Sequence, residues 1–309
     1  MSVILDQVTK YYGKQKALDA ISFTLREGEI CGFLGPNGAG KSTTMKIITG
    51  YITDFSGEVD IHGINIRKYP LKAKAQIGYL PEHNPLYPDL YIREYLEHIA
   101  RLYHIYHPLQ KVNEIVELTG LGAEIRKKIG QLSKGYRQRV GLAQSLVHDP
   151  QVLILDEPMT GLDPNQLEEI RHLILQVGKN KTVLLSTHIM QEVEAICKRV
   201  MIINEGKIVA DKPISDFHTL SENQKIIRIT FAPATDSSWL AETTLFKSLR
   251  RLSSTNWQAI ADIQEDPRTD LFRLAAAHDC PIIELRTEEH NLEEIFRELT
   301  HKKCAKGFL

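Results

Sequence analysis

The stretch Gly35-Pro36-Asn37-Gly38-Ala39-Gly40-Lys41-Ser42-Thr43 decides the fold of this chain of 309 residues. It fits the pattern G-x-x-x-x-G-K-[ST], in which backbone N–H groups of a glycine-rich loop converge on phosphate oxygens. In this pattern Lys41 reaches the outer phosphates, and the Ser42 hydroxyl is placed to bind Mg²⁺. We therefore expect the whole stretch, from Gly35 to Thr43, to form a cradle for nucleotide phosphates.

The segments on either side of this loop supply the strand and the helix that the motif requires. "EICGFLG" (29–35) is an apolar run that ends in glycine, which is typical of a buried strand. "TTMKIITG" (43–50) has a helical pattern that ends at a glycine. A glycine-rich turn that matches by chance is the alternative, and this context argues against it.

Two further apolar runs end in side chains that suit phosphate chemistry. "QVLILDEP" (151–158) leads into Asp156 and Glu157, and "KTVLLSTH" (181–188) ends at His188. Open α/β sheets place their ligand-facing groups at the carboxyl ends of strands. We expect Asp156 to help hold Mg²⁺ and Glu157 to orient an attacking water. The alternative is a pair of ordinary carboxylates that face solvent.

A second element with anion-binding character lies about a hundred residues after the cradle. "LSKGYRQRV" (132–140) begins a basic helix, and Ser133 at its start offers a hydroxyl and free N–H groups to an anion. Taken alone, the stretch favours a plain N-cap followed by a solvated helix.

Segment patterns divide the chain into two domains. Residues 1–30 alternate as an antiparallel β layer, and 199–212 predict a strand, a tight Glu-Gly turn and a return strand. We expect an α/β domain over residues 1–220, with a mixed-sheet core and a helical subdomain at about 84–147 in which Leu96, Ile99, Leu102 and Tyr103 share one face. A small α+β domain is expected over 221–309, either regulatory or simply packed on the core.

Composition argues against several classes of function. The 38 basic and 39 acidic residues nearly balance, and no basic patch carries interleaved aromatic residues, so no nucleic-acid partner is expected. Four widely spaced cysteines indicate free thiols in a reducing compartment. No apolar run approaches the roughly 18 residues of a membrane span, so we expect any membrane role to depend on a partner.

In their order along the chain, these motifs resemble the nucleotide-binding subunit of ATP-binding cassette (ABC) transporters over about residues 3–212. The stretch Leu-Ser-Lys-Gly-Tyr is similar to the family's signature, usually Leu-Ser-Gly-Gly-Gln; Ser133 and Gly135 are kept, while Lys134 and Tyr136 depart from it. The resemblance implies that Ser133 and the backbone near Gly135 bind the γ-phosphate of an ATP held by another chain's cradle. Two copies, or two paralogues, would then pack head to tail around two ATP molecules.

The resemblance also implies roles outside the cradle. His188 matches the switch histidine that senses the γ-phosphate, and Asp163 in "TGLDP" matches a loop that crosses to the opposite cradle. Tyr12 in "YYG" matches the aromatic residue that stacks on adenine, with Tyr11 as the alternative. Glu82 stands where the family usually has a glutamine that contacts Mg²⁺, so its carboxylate is a candidate metal ligand that adds negative charge near the γ-phosphate.

The function implied is that of an ATPase, with Glu157, His188 and Lys41 as its catalytic residues. Separate integral membrane permease subunits would move the cargo, and the chain would lie peripherally at the cytoplasmic face of the inner membrane. Details such as "NLEEIFREL" (291–299) resemble the ATPases of type-2 exporters, and residues 83–90 would dock a helix of the membrane subunit. The alternative is a soluble ABC ATPase that acts on ribosomes or nucleic acid.

Overall fold

The computed structural model describes residues 1–219, 224–233, 235–243, 245–262, 267–288, 296 and 300. The chain divides into two compact units, Met1–Lys212 and Pro213–Leu309. This division lies a little before the boundary at residue 220 that the polar stretch suggested. Within the described residues, none of the helices combines the length and the apolar character of a membrane span.

The first unit alternates strands and helices along most of its length. Its strands are β1 (Val3–Tyr12), β2 (Gln15–Leu25), β3 (Ile30–Leu34), β4 (Ser56–Ile61), β5 (Ile64–Asn65), β6 (Ile77–Leu80), β7 (Val152–Asp156), β8 (Thr182–Thr187), β9 (Arg199–Asn204) and β10 (Lys207–Pro213). Its helices are α1 (Lys41–Ile48), α2 (Pro70–Ala75), α3 (Ile92–Leu102), α4 (Pro108–Leu118), α5 (Lys134–Leu146), α6 (Pro164–Gly178) and α7 (Met190–Ile196).

Six strands form the central mixed sheet, in the order β10-β9-β3-β8-β7-β6. The strands from β9 to β6 pair in parallel. Every residue of β3, β7 and β8 is buried, which explains why these strands appear as continuous apolar runs in the sequence. Their carboxyl ends meet at one edge of the sheet, so the loops that follow them are brought together there.

The predicted antiparallel layer is a second sheet, in the order β2-β1-β4-β5. Val3 and Leu5 of β1 are buried, an irregularity in the pairing follows Leu5, and burial resumes at Val8; these three side chains join a core that also includes side chains of β3, α1 and β7. The predicted hairpin at 199–212 is present as β9 and β10. Its turn residues Glu205 and Gly206 have φ of 47° and 75°, the left-handed pair that suits a two-residue turn.

Three helices, α3, α4 and α5, lie in the segment between β6 and β7. The buried residues of α3 are Ile92, Tyr95, Leu96 and Ala100. Ile99, the next member of the predicted face, is half-buried, and Leu102 and Tyr103 at the end of the helix are 60% and 41% exposed. Those two side chains line a surface groove described below.

The second unit is an α+β arrangement with its own core. Its elements are α8 (Ile214–Thr219), β11 (Gln224–Phe231), β12 (Ser248–Arg251), β13 (Asn256–Asp262), α9 (Arg268–Ala277) and β14 (Ile282–Glu288). The strands pair antiparallel in the order β12-β13-β11-β14. Buried Trp257 donates a hydrogen bond from Nε1 to Ser237 Oγ (2.9 Å) within that core. The tail segment 291–299 lies outside the described residues, apart from Phe296.

Candidate functional site

A cleft of about 620 Å³ opens beside the loop between β3 and α1. It brings together the cradle, both strand-end acids and the strand-end histidine. Its lining residues are Tyr12, Gln15, Lys16, Ala17, Asn37, Gly38, Gly40, Lys41, Ser42, Thr43, Glu82, Asp156, Glu157, Thr160, His188, Glu205 and Gly206. Of the expected cradle residues, Gly35, Pro36 and Ala39 are not among them; Gly35 and Ala39 are buried and Pro36 is half-buried.

The loop between β3 and α1 needs glycine at two positions for different reasons. Gly38 has φ of 79° with open space around it, so only its left-handed backbone excludes other residues. Gly40 has φ of 115°, and a Cβ there would also lie 2.7 Å from Leu18 Cδ2 and 3.0 Å from the Ala17 carbonyl oxygen. A bulkier loop would therefore lose the backbone path that directs N–H groups at phosphates.

Lys41 is held inside the loop that it serves. Its ammonium group donates to the carbonyl oxygens of Gly35 (2.6 Å) and Pro36 (3.3 Å). Burial lowers its pKa, and the negative charges of Glu157, Asp156 and Glu82 oppose that shift. The ammonium group of Lys41 is thus a nearly buried cation whose hydrogen-bond partners are neutral carbonyl oxygens. A negatively charged phosphate oxygen would form a stronger hydrogen bond with it.

Asp156, the last residue of β7, is 3% exposed, and its Oδ1 has no hydrogen-bond partner in the described structure. Burial raises its pKa, and the Ser42 hydroxyl partly offsets that effect. Glu82 lines the same cleft with a side chain that is 48% exposed. An unpartnered carboxylate oxygen, a hydroxyl and a second carboxylate are hard oxygen donors, so these residues fit Mg²⁺.

Glu157 is oriented by two neighbours and by its own backbone. Its Oε2 accepts a hydrogen bond from Thr160 Oγ1 (2.9 Å) and lies 2.9 Å from His188 Nδ1. Its φ is 52°, and its N–H donates to the Ser186 carbonyl oxygen (3.0 Å), so the left-handed turn is anchored to β8. Such a conformation is costly for a non-glycine residue and is common at functional sites. The carboxylate is 9% exposed and is held at the cleft wall.

Thr160 contacts Glu157 in a way that the sequence did not predict. The stretch "TGLDP" predicted a role for Asp163, and its sequence does not indicate that Thr160 donates a hydrogen bond to Glu157. The only signal is a hydroxyl residue three positions after the acid. Gln15, Lys16 and Ala17 were also missed, because the start of β2 reaches the cleft only through the sheet pairing.

Of the two candidate aromatic residues, Tyr12 lines the cleft and Tyr11 does not. Both rings are about half exposed, and each lies near a lysine: Lys10 Nζ is 5.1 Å from the Tyr12 ring centroid, and Lys16 Nζ is 5.5 Å from that of Tyr11. The exposed fractions of the two rings are therefore nearly equal, and they differ in that Tyr12 lines the cleft. Tyr12 is the better placed ring for a nucleotide base.

The signature residues lie elsewhere on the first unit. Ser133 is the N-cap of α5, and its Oγ accepts a hydrogen bond from the Tyr136 N–H (3.4 Å), as the plain N-cap interpretation requires. Asp163 caps α6 in the same way, through the Gln166 N–H (2.9 Å). Neither these two residues nor Gly135 is among the lining residues of the cleft in their own chain.

A groove of about 770 Å³ adjoins the cleft and shares Ser42, Glu82 and Asp156 with it. The loop from Pro81 to Pro85 forms one part of its wall, together with the exposed end of α3 at Leu102 and Tyr103. The Tyr103 ring stacks on His148 with 4.0 Å between ring centroids. The groove thus links a partly apolar surface to the phosphate end of the cleft.

Comparisons with known proteins agree with this geometry. The family profile described as "ABC transporter" matches residues 18–160. The linearmycin resistance ATP-binding protein LnrL of Bacillus subtilis (strain 168) is 32% identical over 308 residues, which cover 96% of this chain and 97% of that protein. The bacitracin transport ATP-binding protein BcrA of Bacillus licheniformis is 39% identical over 231 residues, 74% of each chain.

Solved structures show the same fold for the first unit. The dimeric bacterial ABC transporter cassette MJ0796 is 26% identical, with a TM-score of 0.64 over 69% of this chain and 98% of that one. The same cassette in a post-hydrolysis state bound to ADP and Pi gives a TM-score of 0.63. The sequence coverage, the fold and the assembled cleft lead to one conclusion: this chain belongs to the ABC transporter family, as an ATP-binding subunit with ATPase activity.

Proposed function

We propose that this protein is the ATPase of an exporter, and that two such chains share two ATP·Mg²⁺ between them. The observation that carries the proposal is the split between two sets of residues within one chain. Cradle, acids and histidine meet in one cleft, whereas Ser133 and Asp163 cap helices outside it. A helix N-terminus with an exposed Ser133 hydroxyl is an anion-binding element, and a second chain's cleft would supply its anion.

The assignment to export is supported by the relatives. Their printed names refer to linearmycin resistance, bacitracin transport and, for a protein of Paraburkholderia xenovorans that is 36% identical over 217 residues, Nod factor export. The names refer to different compounds, so they support export as the direction of transport and do not identify the cargo of this protein. We place the protein peripherally at the cytoplasmic face of the inner membrane, with the groove beside Glu82 receiving a helix of the membrane subunit.

In the proposed mechanism, each group acts at the position that the cleft gives it. Lys41 and the loop N–H groups hold the phosphates, and Tyr12 stacks on the base. Glu157, oriented by Thr160 and His188, accepts a hydrogen bond from the attacking water and aligns it. When bound, Mg²⁺ neutralises developing phosphate charge, and Ser42, Asp156 and Glu82 are the residues that would hold it.

The variant Glu157→Gln tests the shared-site arrangement. Glutamine keeps the shape of the side chain and loses the charge that aligns the water, so we expect hydrolysis to fall by about 10²- to 10⁴-fold. ATP binding should persist, and ATP with Mg²⁺ should drive a dimer that ADP does not, as measured by sedimentation. Hydrolysis at the wild-type rate would contradict the role of Glu157.

The membrane partner is tested with the same variant in its native cell. Tagged Glu157→Gln is purified from membranes in mild detergent with ATP and Mg²⁺, and Lys41→Ala serves as the nucleotide-free control. A multi-spanning protein recovered in near-equal amount from the first and lost from the second supports the transporter. Ribosomal proteins or nucleic acid recovered instead would favour the soluble ATPase.

A further inference from the structure

The signature turn (Leu132–Tyr136) and the first turn of α6 meet through a glycine. Gly135 is buried, and a Cβ added to it would collide with the Oε1 and Cδ atoms of Gln166. The side chain of Gln166 therefore occupies the space that a larger residue at position 135 would need. The described residues offer its amide group no hydrogen-bond partner, so the contact depends on packing.

Gln166 is also tied to the cap of its own helix. Its backbone N–H donates to Asp163 Oδ1 (2.9 Å), which holds that carboxylate at the start of α6. One residue thus contacts both segments that the proposed dimer directs at the partner's nucleotide. One turn further along α5 and α6, Arg139 and Glu169 form an ion pair that continues the same seam between the helices.

We propose that Gln166 is a positioning residue that sets the spacing between the signature turn and the Asp163 cap, so that both meet the partner chain's ATP as one unit. The proposal rests on the shared-site dimer proposed above. It concerns a residue outside the nucleotide cleft, and the residue acts through its contact with Gly135.

The geometry explains why the spacing is sensitive. A γ-phosphate that bridges two chains requires Ser133 at hydrogen-bond distance, and a misplacement of about 1 Å removes such a contact. Gln166 is half-buried, so removing its side chain takes away a packing contact of Gly135 and leaves the spacing of the two segments less constrained. A methyl group at Gly135 would instead displace the end of the Gln166 side chain from the signature turn.

The test uses Glu157→Gln as the parent and measures ATP-driven dimerisation by sedimentation and ATP affinity of the monomer by fluorescence titration. Gln166→Ala should weaken dimerisation about tenfold, the size of coupling common for residues in contact. Gly135→Ala should also weaken it, because its methyl group displaces the end of the Gln166 side chain from this contact. In Gly135→Ala/Gln166→Ala the new methyl group fills part of the vacated space, so dimerisation should recover relative to Gly135→Ala.

Controls separate positioning from other roles. Gln176→Ala makes the same chemical change at an exposed position of α6 and should behave as the parent. Gln166→Met keeps the side-chain length and should retain dimerisation, and ATP affinity of the monomer should be unchanged in every Gln166 variant. Thermal unfolding of each variant separates these effects from loss of folding.

Three results overturn the proposal. Gln166→Ala could dimerise as the parent does, the double variant could fail to improve on Gly135→Ala, or Gln166→Met could behave as Gln166→Ala. The last result would assign the effect to the amide group. If the parent itself forms no ATP-dependent dimer, the shared-site function fails, and this inference fails with it.

Discussion

At the scale of single residues, two adjacent carboxylates have opposite surroundings. Asp156 is buried with an oxygen that no group of the described structure satisfies, whereas Glu157 has Thr160 and His188 on one oxygen. Both carboxylates line the same cleft, and the backbone of Glu157 is left-handed. One acid is thereby suited to a cation and the other to a water, which is the division of roles expected from the order of the motif.

The unsatisfied charge of Asp156 predicts a stability cost in the nucleotide-free protein. Burial raises its pKa, so the folded state disfavours the ionised form. Stability therefore falls as the pH rises from the ordinary carboxyl pKa through the raised value, and the full cost applies above it. We expect Asp156→Asn to melt at a higher temperature than the wild type at pH 7 in EDTA, and to lose most of the stabilisation by ATP·Mg²⁺.

Thermal unfolding over pH 4–8, with and without ATP·Mg²⁺, measures both effects. Asp89→Asn, at an exposed loop position, is the control and should match the wild type. A lower melting temperature for nucleotide-free Asp156→Asn would show that its carboxylate stabilises the fold, contrary to this account.

At the scale of elements, the site is built from the ends of strands and the beginnings of helices. β3, β7 and β8 deliver the cradle, the acids and the histidine to one edge of the sheet, and α5 and α6 each begin with a side-chain cap. Such caps serve the helix and leave further N–H groups free for an anion.

Ser133 has two roles at this scale, and Ser133→Asp separates them. Aspartate is as good an N-cap as serine, so the melting temperature should stay close to that of the wild type. Its negative charge would repel a γ-phosphate, so ATP-driven dimerisation in the Glu157→Gln background should be lost. Ser133→Ala should instead cost about 1 kcal/mol of stability. An Asp variant that dimerises normally would remove Ser133 from the shared site.

Elements with a strong pattern could be predicted from the sequence, and those that depend on tertiary contacts could not. Continuous apolar runs identified β3, β7 and β8, and a Glu-Gly pair identified the hairpin of β9 and β10, because backbone rules govern them locally. That Leu102 and Tyr103 at the end of α3 line an open groove could not be predicted, because tertiary contacts bring the loop after β6 to the same groove. The hydrogen bond from Thr160 to Glu157 was not predicted, because it depends on the backbone conformation of the turn at Glu157. No sequence pattern indicates that conformation.

At the scale of the whole molecule, the nucleotide cleft belongs to the first unit. All of its lining residues fall within Met1–Lys212, and the second unit has a separate core. We therefore expect a fragment of residues 1–212 to fold and to bind ATP with the affinity of the full chain, since units with their own cores commonly fold alone. Calorimetric titration with ATP measures this. A fragment that folds and does not bind ATP would assign the second unit a part in the site.

In the proposed dimer, an ATP site consists of one chain's cradle and another chain's Ser133. Lys41→Ala disables every cradle, and Ser133→Asp disables every signature turn, so neither variant alone retains an intact site. A mixed dimer of the two retains one. The most direct measurement mixes the differently tagged variants, both carrying Glu157→Gln, and quantifies the ATP-dependent capture of one by the other.

We expect a heterodimer that forms with ATP and Mg²⁺, holds one ATP in its intact site, and is absent when either variant is alone. A parent Glu157→Gln that dimerises, together with a mixture that does not, would contradict the pairing of one chain's cradle with another chain's Ser133.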